Sequence, residues 1–523
     1  MNNEAKNDFQ IGVECFVEAN RKYWEKTKVP VSEDGWIYVL HTLHSEFTLS
    51  IVEDIVAKGM QEKCHLPIVS IISGRADEMM GLMDQVDASF GIEHRFHPSY
   101  YDYNTPEIET LADTLASQTY GDKDSLLALE YRGICFGDVL YDDILRRGNK
   151  RKRGDVVDVF EVSQERYRSF IRNALAIIDQ AYEMFDKRKP RYLVTAEYLY
   201  TKGLYAHVAK KLGAQILVTA AEFPDVTVQI KSDERQLSEI KVSDTIRIRL
   251  EKRLQSYPES TVCDENLFVM ESSSKSATKF PEQWSRKKNV VILPHAFGDA
   301  PREACRHNIY HDYFEWFLDT VKMIRGIPDV NWIIKDHPMS GYYGQEDVVK
   351  SIYEEHKADH ILWLPKDYSG MNLKDFADCV ITCAGDVGIE YWAYGVPTIT
   401  VGDAYYCSWG ISYQAKTLVE YKDILENIVH IPEPSEQSVK LARKYLLIRK
   451  YGNREPFVDL IVQHRKNDLA IWSKYGVPYG ILDSADQQLG KNVRKFCELY
   501  AGMIQEYDLR LSRLYQMDNL VEV

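Results

Sequence analysis

The residues of this chain whose types and spacing can do chemistry gather at the ends of apolar runs. The stretch VITCAGDVGIEYWAYGVPTITVGDAYYCSWG, Val380–Gly410, has a short apolar strand emptying into Cys383-Ala384-Gly385-Asp386. A helix is predicted over Val387–Tyr394, and a second strand follows over Thr398–Val401, ending at Gly402. A loop so poor in side chains lets an anion approach backbone N–H groups closely, which suits a nucleotide phosphate. Gly385 and Gly388 belong to that turn, and Glu390, one turn into the helix, can accept hydrogen bonds from ribose hydroxyls. Asp386 either caps its helix or touches the ligand. Tyr405, after the second strand, either packs in the core or stacks on a base or sugar.

Three further runs of the second half carry polar groups at the same end. After VVIL come Pro294, His295, Gly298, Asp299, Ala300, Pro301 and Arg302; after NWII come Lys335, Asp336, His337 and Pro338; after HILWL come Pro365 and Lys366. His337 either caps a loop carbonyl or, beside Lys335, holds a phosphate. Asp299 is either a turn residue, since Asp-Ala-Pro is good turn chemistry, or a reactive carboxylate. Arg302 is either a surface charge or neutralises an anionic substrate. In the first half, LEYRGICFGDVLYDDILRR gathers Asp138, Tyr141, Asp142 and Arg146. Glu197 and Glu222 each follow an apolar strand, RYLVTA and QILVTA. Strand-end carboxylates serve as general acids or bases, or form salt bridges.

The elements that must position these groups repeat twice. WIYVLHT, a helix near Leu49–Lys63 and LPIVSIIS make one β-α-β unit; helices near 105–117, 123–147 and 163–187 lead to RYLVTAEY, a helix over Gly203–Leu212 and QILVTA. Residues 1–30 read as a helix, and residues 227–285 as a polar connecting region with a helix near 238–255. From Asn289 the alternation restarts and runs to Val401, after which the chain turns helical from about 433, with a long amphipathic segment over Gln487–Met517. Alternation of this kind predicts two mostly parallel sheets, with ligands outside the carboxyl ends of the strands. The expected domains are 1–285, 286–480 and a C-terminal helix over 481–523 that crosses back to the first lobe.

A chain of 523 residues is too long for one core, and 45% hydrophobic with 27% charged residues is an ordinary globular balance. The net charge of −15 disfavours nucleic-acid binding and anionic membranes. Nine scattered cysteines form no CxxC pair or ligand cluster, and the acidic start MNNEAKNDFQ is not that of a signal peptide. The expectation is a cytoplasmic protein with reduced thiols and at most peripheral contact with the inner face of the membrane.

Taken in order, GICFGDVLYDD, AEYLYTKGLYAHVAKKLGA, LPHAFGDAPR, IIKDHP and TCAGDVGIEYWAYGVPTITVGDAYY resemble bacterial surface-polysaccharide glycosyltransferases, capsule and lipopolysaccharide enzymes similar to β-Kdo transferases. The resemblance spans about Gly35 to Gln414. It implies an α/β fold of GT-B type, two Rossmann-like lobes with a central cleft and a C-terminal helical tail. It also implies a nucleotide-sugar donor, CMP-linked in the Kdo branch, a glycan or glycolipid acceptor, and no metal or other cofactor. Lys335, His337 and Pro338 would engage the donor phosphate with the Gly385–Gly388 turn, Glu390 the ribose, and His295, Arg302, Lys366, Asp386 and Tyr405 the rest of the donor. Asp299 would act at the anomeric carbon, as nucleophile or base, with Glu197 and Glu222 as the other catalytic candidates. Asp138, Tyr141 and Asp142 would face the acceptor. A nucleotide-sugar 2-epimerase-type isomerase and a catalytically silent glycan-binding subunit are the alternatives.

Overall fold

The computed structural model describes residues 34–42, 47–73, 78–98, 103–148, 158–220, 227–231, 287–305 and 309–451, with gaps of one to four positions between 342 and 372 and isolated positions elsewhere. The expected helix over 1–30 falls mostly outside these residues. So do the helix near 238–255, Gln487–Met517, the boundary at 285/286 and Glu222.

The first sheet is built from β1 (Trp36–His41), β2 (Ile68–Ile72) and β3 (His94–Phe96), then, after a two-stranded antiparallel pair of β4 (Glu130–Tyr131) and β5 (Ile134–Cys135), from β6 (Pro190–Thr195), β7 (Gln215–Ala220) and β8 (Thr227–Lys231). Its order is 3-2-1-6-7-8, parallel except for the antiparallel edge strand β8. The second sheet holds β9 (Asn289–Ile292), β10 (Asn331–Lys335), β11 (Ile361–Leu364), β12 (Cys379–Thr382), β13 (Thr398–Thr400) and β14 (Tyr413–Gln414) in the order 11-10-9-12-13-14, all parallel. The central strands are buried along their whole length, as apolar runs covered by helices on both faces must be. The expected two Rossmann-like α/β lobes are therefore present.

Each sheet reverses direction next to its first strand, between β1 and β6 in one lobe and between β9 and β12 in the other. Neighbouring connections leave such a point toward opposite faces and open a crevice there. Both crevices lie at strand ends that carry candidate residues.

Local chemistry accounts for the elements that hold the crevices in place. The helix Gln164–Lys187 starts at Ser163, whose side chain accepts from Arg166 N–H, and buries one long apolar face in the core of the first lobe, against the helices Pro106–Thr119 and Leu204–Lys211. The helix Tyr313–Ile324 is capped by Asp312 in the same way. The helix Glu436–Tyr451 bears out the helical turn of the sequence after 433. It packs on the helix Val387–Ala393, where Arg443 Nε donates to the Ala393 carbonyl at 2.7 Å, and it stacks Tyr445 on Trp409 of the later turn Cys407–Trp409, 3.5 Å between ring centroids.

Two expectations are corrected. The helix read across 123–147 is broken into Lys123–Leu127 and Gly137–Arg147 around the β4–β5 hairpin, because Arg132 (φ +52°) and Gly133 (φ +77°) make the tight left-handed turn that such a hairpin needs. The polar region from 227 begins with β8, whose sequence TVQIK alternates as an edge strand does.

Candidate functional site

The five candidate strand ends of the second lobe converge on one cavity of about 460 Å³, lined among others by His295, Asp299, Lys335, His337, Lys366 and the Ala384–Val387 loop. Pro338, Glu390 and Tyr405 line it as well. This is a ligand-sized space at the switch point between β9 and β12. Thr382 Oγ1 and Asp336 Oδ1 are buried without a protein partner, and both residues line the cavity. Buried polar atoms left without a protein partner are where a water or a ligand can supply one.

The two histidines differ in their work. His295 stacks on Tyr313 at 4.1 Å between centroids, and its Nε2 accepts from Ala384 N–H at 3.1 Å. Burial carries its pKa down to about 3, so the ring is neutral and braces the loop. The ring lines the cavity as expected of a donor-side residue, and its Nε2 serves at the same time as a prop for the loop. His337 Nδ1 accepts from Met339 N–H at 3.1 Å, which leaves Nε2 as the N–H donor of the neutral ring. Burial, then the charge of Lys335, hold its pKa down at about 4. Lys335 is itself buried, with Nζ donating to the carbonyl of Asp336 at 3.1 Å. Asp336, between them, is pushed up by burial to about 7 and so can carry a proton into the cavity at neutral pH.

The glycine turn is shaped by close packing. A Cβ on Gly385 would lie 3.0 Å from Thr382 Oγ1, and one on Gly388 would lie 2.0 Å from the Tyr406 hydroxyl. Gly388 therefore admits Tyr406, which donates to the Gly385 carbonyl at 2.6 Å, and does not line the cavity. Asp386 makes no side-chain cap to its seven-residue helix, so of its two readings the structure leaves the one that faces the cavity. Tyr405 is both buried and at the cavity wall, edge-on to Tyr406 and Trp409.

Asp299 sits on the turn after β9, where Asp299 N–H donates to the Ala296 carbonyl at 3.0 Å. Its side chain is 53% exposed, and the protein around the turn, by displacing water from the carboxylate, raises its pKa. Across the cleft stands Arg146, 3.8 Å from Asp299, with its guanidinium over the rings of Tyr343 and Tyr200. Glu197, at the end of β6 in the first lobe, feels both Arg146 and Asp299, and burial pushes its pKa up to about 7. Two carboxylates and an arginine from opposite lobes thus share one cleft.

The acceptor-side candidates are occupied otherwise. Asp142 is fully buried and accepts from Arg302 N–H at 3.0 Å and Glu303 N–H at 2.7 Å. Asp138 takes Arg302 Nε at 3.0 Å, and the Tyr141 hydroxyl donates to Asp312. Glu303 in turn accepts from Tyr200 N–H at 2.8 Å. These residues and Arg302 join the lobes; they do not face open space. A carboxylate next to a tyrosine in sequence looks the same whether it binds a sugar or caps a loop 160 residues away, so spacing held no signal for this role. Tyr343, in SGYYGQ, was missed because no strand end or motif marks it.

Among the described residues one group can hold a metal ion, His41, Asp54 and Asp87, and it lies in the first lobe. No helix among the described residues is long and apolar enough to cross a membrane.

Residues 241–423 match the sequence family described as "Capsule polysaccharide biosynthesis protein", and the resemblance to capsule polysaccharide biosynthesis proteins read from the motifs is borne out. No curated protein matches the sequence at a significant level. Similar solved structures include two of Thermosulfurimonas dismutans KpsC. The β-Kdo 2,4 transferase is 12% identical over 52% of this chain and 87% of its own, with a TM-score of 0.28. The β-Kdo 2,7 transferase is 13% identical over 55% and 90%, with a TM-score of 0.30. The UDP-GlcNAc 2-epimerase from Neisseria meningitidis, bound to UDP-GlcNAc, is 14% identical over 79% and 98%, with a TM-score of 0.20. Likenesses this loose assign no residue a role.

Proposed function

We propose that this chain is a glycosyltransferase of surface-glycan biosynthesis, which takes a sugar from a nucleotide donor held in the second lobe and passes it to a glycan or glycolipid acceptor entering from the first. One observation carries the reading: the cavity that gathers the glycine turn, His337, Lys335 and Lys366 is the one into which Asp299 projects, opposite Arg146 and Glu197. The family match over 241–423 supports the capsule context.

On this reading the donor phosphate lies between the Ala384–Val387 loop and His337. The His337 Nε2–H donates to the phosphate or the departing nucleotide oxygen, and the charge of Lys335 stays close by. Glu390 holds the ribose. Asp299 acts at the anomeric carbon, and Glu197, ionised above about pH 7, takes the proton of the acceptor hydroxyl. Arg146 keeps the two carboxylates from repelling each other across the cleft. The donor we favour is a CMP-linked sugar acid of the Kdo kind. Sugar transfer by these groups requires no metal at the cleft.

The test is release of free nucleotide from CMP-, UDP- and GDP-sugars with and without a capsule-type acceptor. Acceptor-dependent release, with sugar appearing on the acceptor, is the expected result. Turnover that ignores the acceptor and returns an epimeric sugar nucleotide identifies an isomerase. Nucleotide binding with no turnover of any donor identifies a silent binding subunit.

A further inference from the structure

We propose that the first lobe binds a divalent transition-metal cation, Zn²⁺ by preference, between His41, Asp54 and Asp87. The three come from separate elements: His41 ends β1, Asp54 lies on the helix Phe47–Cys64 and Asp87 on the helix Glu78–Ser89. Their donor atoms lie within 4.8 Å of one another, and all three residues are 0% exposed.

The polar inventory of this pocket is what points to a cation. His41 Nε2, both oxygens of Asp54 and both oxygens of Asp87 are buried with no hydrogen-bond partner. Five such atoms in one buried cluster would cost the fold heavily if left to themselves. His41 Nε2 is 3.4 Å from Asp54 Oδ1 and 3.4 Å from Asp87 Oδ1. Hydrogen bonds between charged groups close to about 2.7–2.9 Å, so neither separation is one. A metal that holds nitrogen and oxygen ligands at about 2.1 Å in a tetrahedron sets them about 3.4 Å apart, the separation seen on both edges. A water or the second oxygen of an aspartate completes the shell.

The surroundings fit as well. His41 Nδ1 is 2.5 Å from Glu53 Oε2, the contact that fixes the tautomer and turns Nε2 toward the centre. The other Glu53 oxygen accepts from Ala196 N–H, the residue before Glu197. A cation here would therefore tie β1, two helices and the end of β6 together, a structural task that leaves the cleft chemistry untouched. One imidazole with two carboxylates is a mixed donor set, which suits Zn²⁺ or Mn²⁺ better than Mg²⁺ or Ca²⁺. Sequence spacing is blind to it, since 13 and 33 residues separate the ligands.

The experiment uses the full chain, with metal measured by mass spectrometry as purified, then chelator-stripped and titrated with ZnCl₂ or MnCl₂ while heat and thermal unfolding are followed. The expected result is one equivalent of Zn²⁺ per chain and a melting temperature raised on reloading. Asp54→Asn and Asp87→Asn should lose that equivalent, which separates the site from surface thiols. Glu53→Gln, which keeps its shape, should weaken binding about 10- to 100-fold. Tighter binding of Mn²⁺ at the same stoichiometry, lost in the same variants, also supports the site. Stripped wild type that takes up less than a tenth of an equivalent of either ion overturns it, as does undiminished uptake by folded Asp54→Asn or Asp87→Asn. In either case the cluster is a shared-proton network around an imidazolium.

Discussion

Asp299 and Glu197 face each other from different lobes, and each is harder to ionise than an ordinary carboxylate because the cleft shields it from bulk water. Asp299→Asn keeps the shape and removes the charge, so turnover should fall by about 100- to 10,000-fold while nucleotide affinity stays nearly constant. Retention of more than roughly a tenth of the activity would make Asp299 a turn residue. Glu197 titrates at about 7, so the rising limb of kcat against pH should centre there, and Glu197→Gln should abolish that limb along with most of the rate. The same shift has a stability consequence. With its folded pKa above its unfolded one, Glu197 contributes fully below the ordinary carboxylate pKa and that contribution is lost as pH rises toward 7. Melting temperatures taken across that window should therefore fall less steeply for Glu197→Gln than for wild type. At this scale the sequence was readable only as far as residue type and strand end. It placed Asp299, His337, Lys335 and Glu390 around one ligand space, because an apolar run ending in Gly, Asp or His marks a crevice. It did not distinguish His337 from His295: both line the cavity, but the Nε2 of His295 is committed to Ala384 N–H.

The elements that position these groups were legible in proportion to their apolar periodicity. Central strands such as VVIL and NWII are continuous apolar runs and read clearly; β3, with HRF, and β14, with two residues, are edge strands too short and polar to show any period. The β4–β5 hairpin was hidden inside a helical pattern, since its turn depends on positive φ at Arg132 and Gly133. What no local pattern reveals is the seam between lobes, where the helix Gly137–Arg147 offers Asp142 to the backbone of Arg302 and Glu303. That carboxylate satisfies two N–H groups at once from a fully buried position. Asp142→Ala should strand both, at about 1–3 kcal/mol for each buried unsatisfied group, and lower the melting temperature measurably. A melting curve that superimposes on wild type would show that the turn recruits water or rearranges. On the donor side, Gly388→Ala forces a Cβ to within 2.0 Å of the Tyr406 hydroxyl. Displacing Tyr406 frees the Gly385 carbonyl and distorts the loop, so donor affinity should drop together with stability.

At the scale of the whole molecule, two sheets of the same winding bring their switch points to one cleft, and the seam of Asp138, Asp142, Arg302 and Glu303 keeps them there. Such a molecule holds the two sides of the proposed site together before a ligand arrives, so the donor proposed for it has to fit what is already built. The cavity of about 460 Å³ presents Lys335 and Lys366 near the ends of β10 and β11, and Asp299, Asp386 and Glu390 near the ends of β9 and β12. A single phosphate beside the lysines, with ribose hydroxyls reaching Glu390, meets this arrangement without driving a second phosphate against the carboxylates. A thermal-shift comparison of CMP, UDP and GDP therefore has a definite expectation, that CMP gives the largest rise. A ligand at 100 times its dissociation constant stabilises the fold by about 2.7 kcal/mol, and the rise should shrink in His337→Ala. The rise should survive in Asp299→Asn, since on the proposed reading that side chain acts on the sugar and not on the nucleotide. A larger rise with UDP or GDP would place two phosphates in the cavity and remove the sugar-acid donor from consideration, and an equal rise in His337→Ala would take the phosphate away from that histidine.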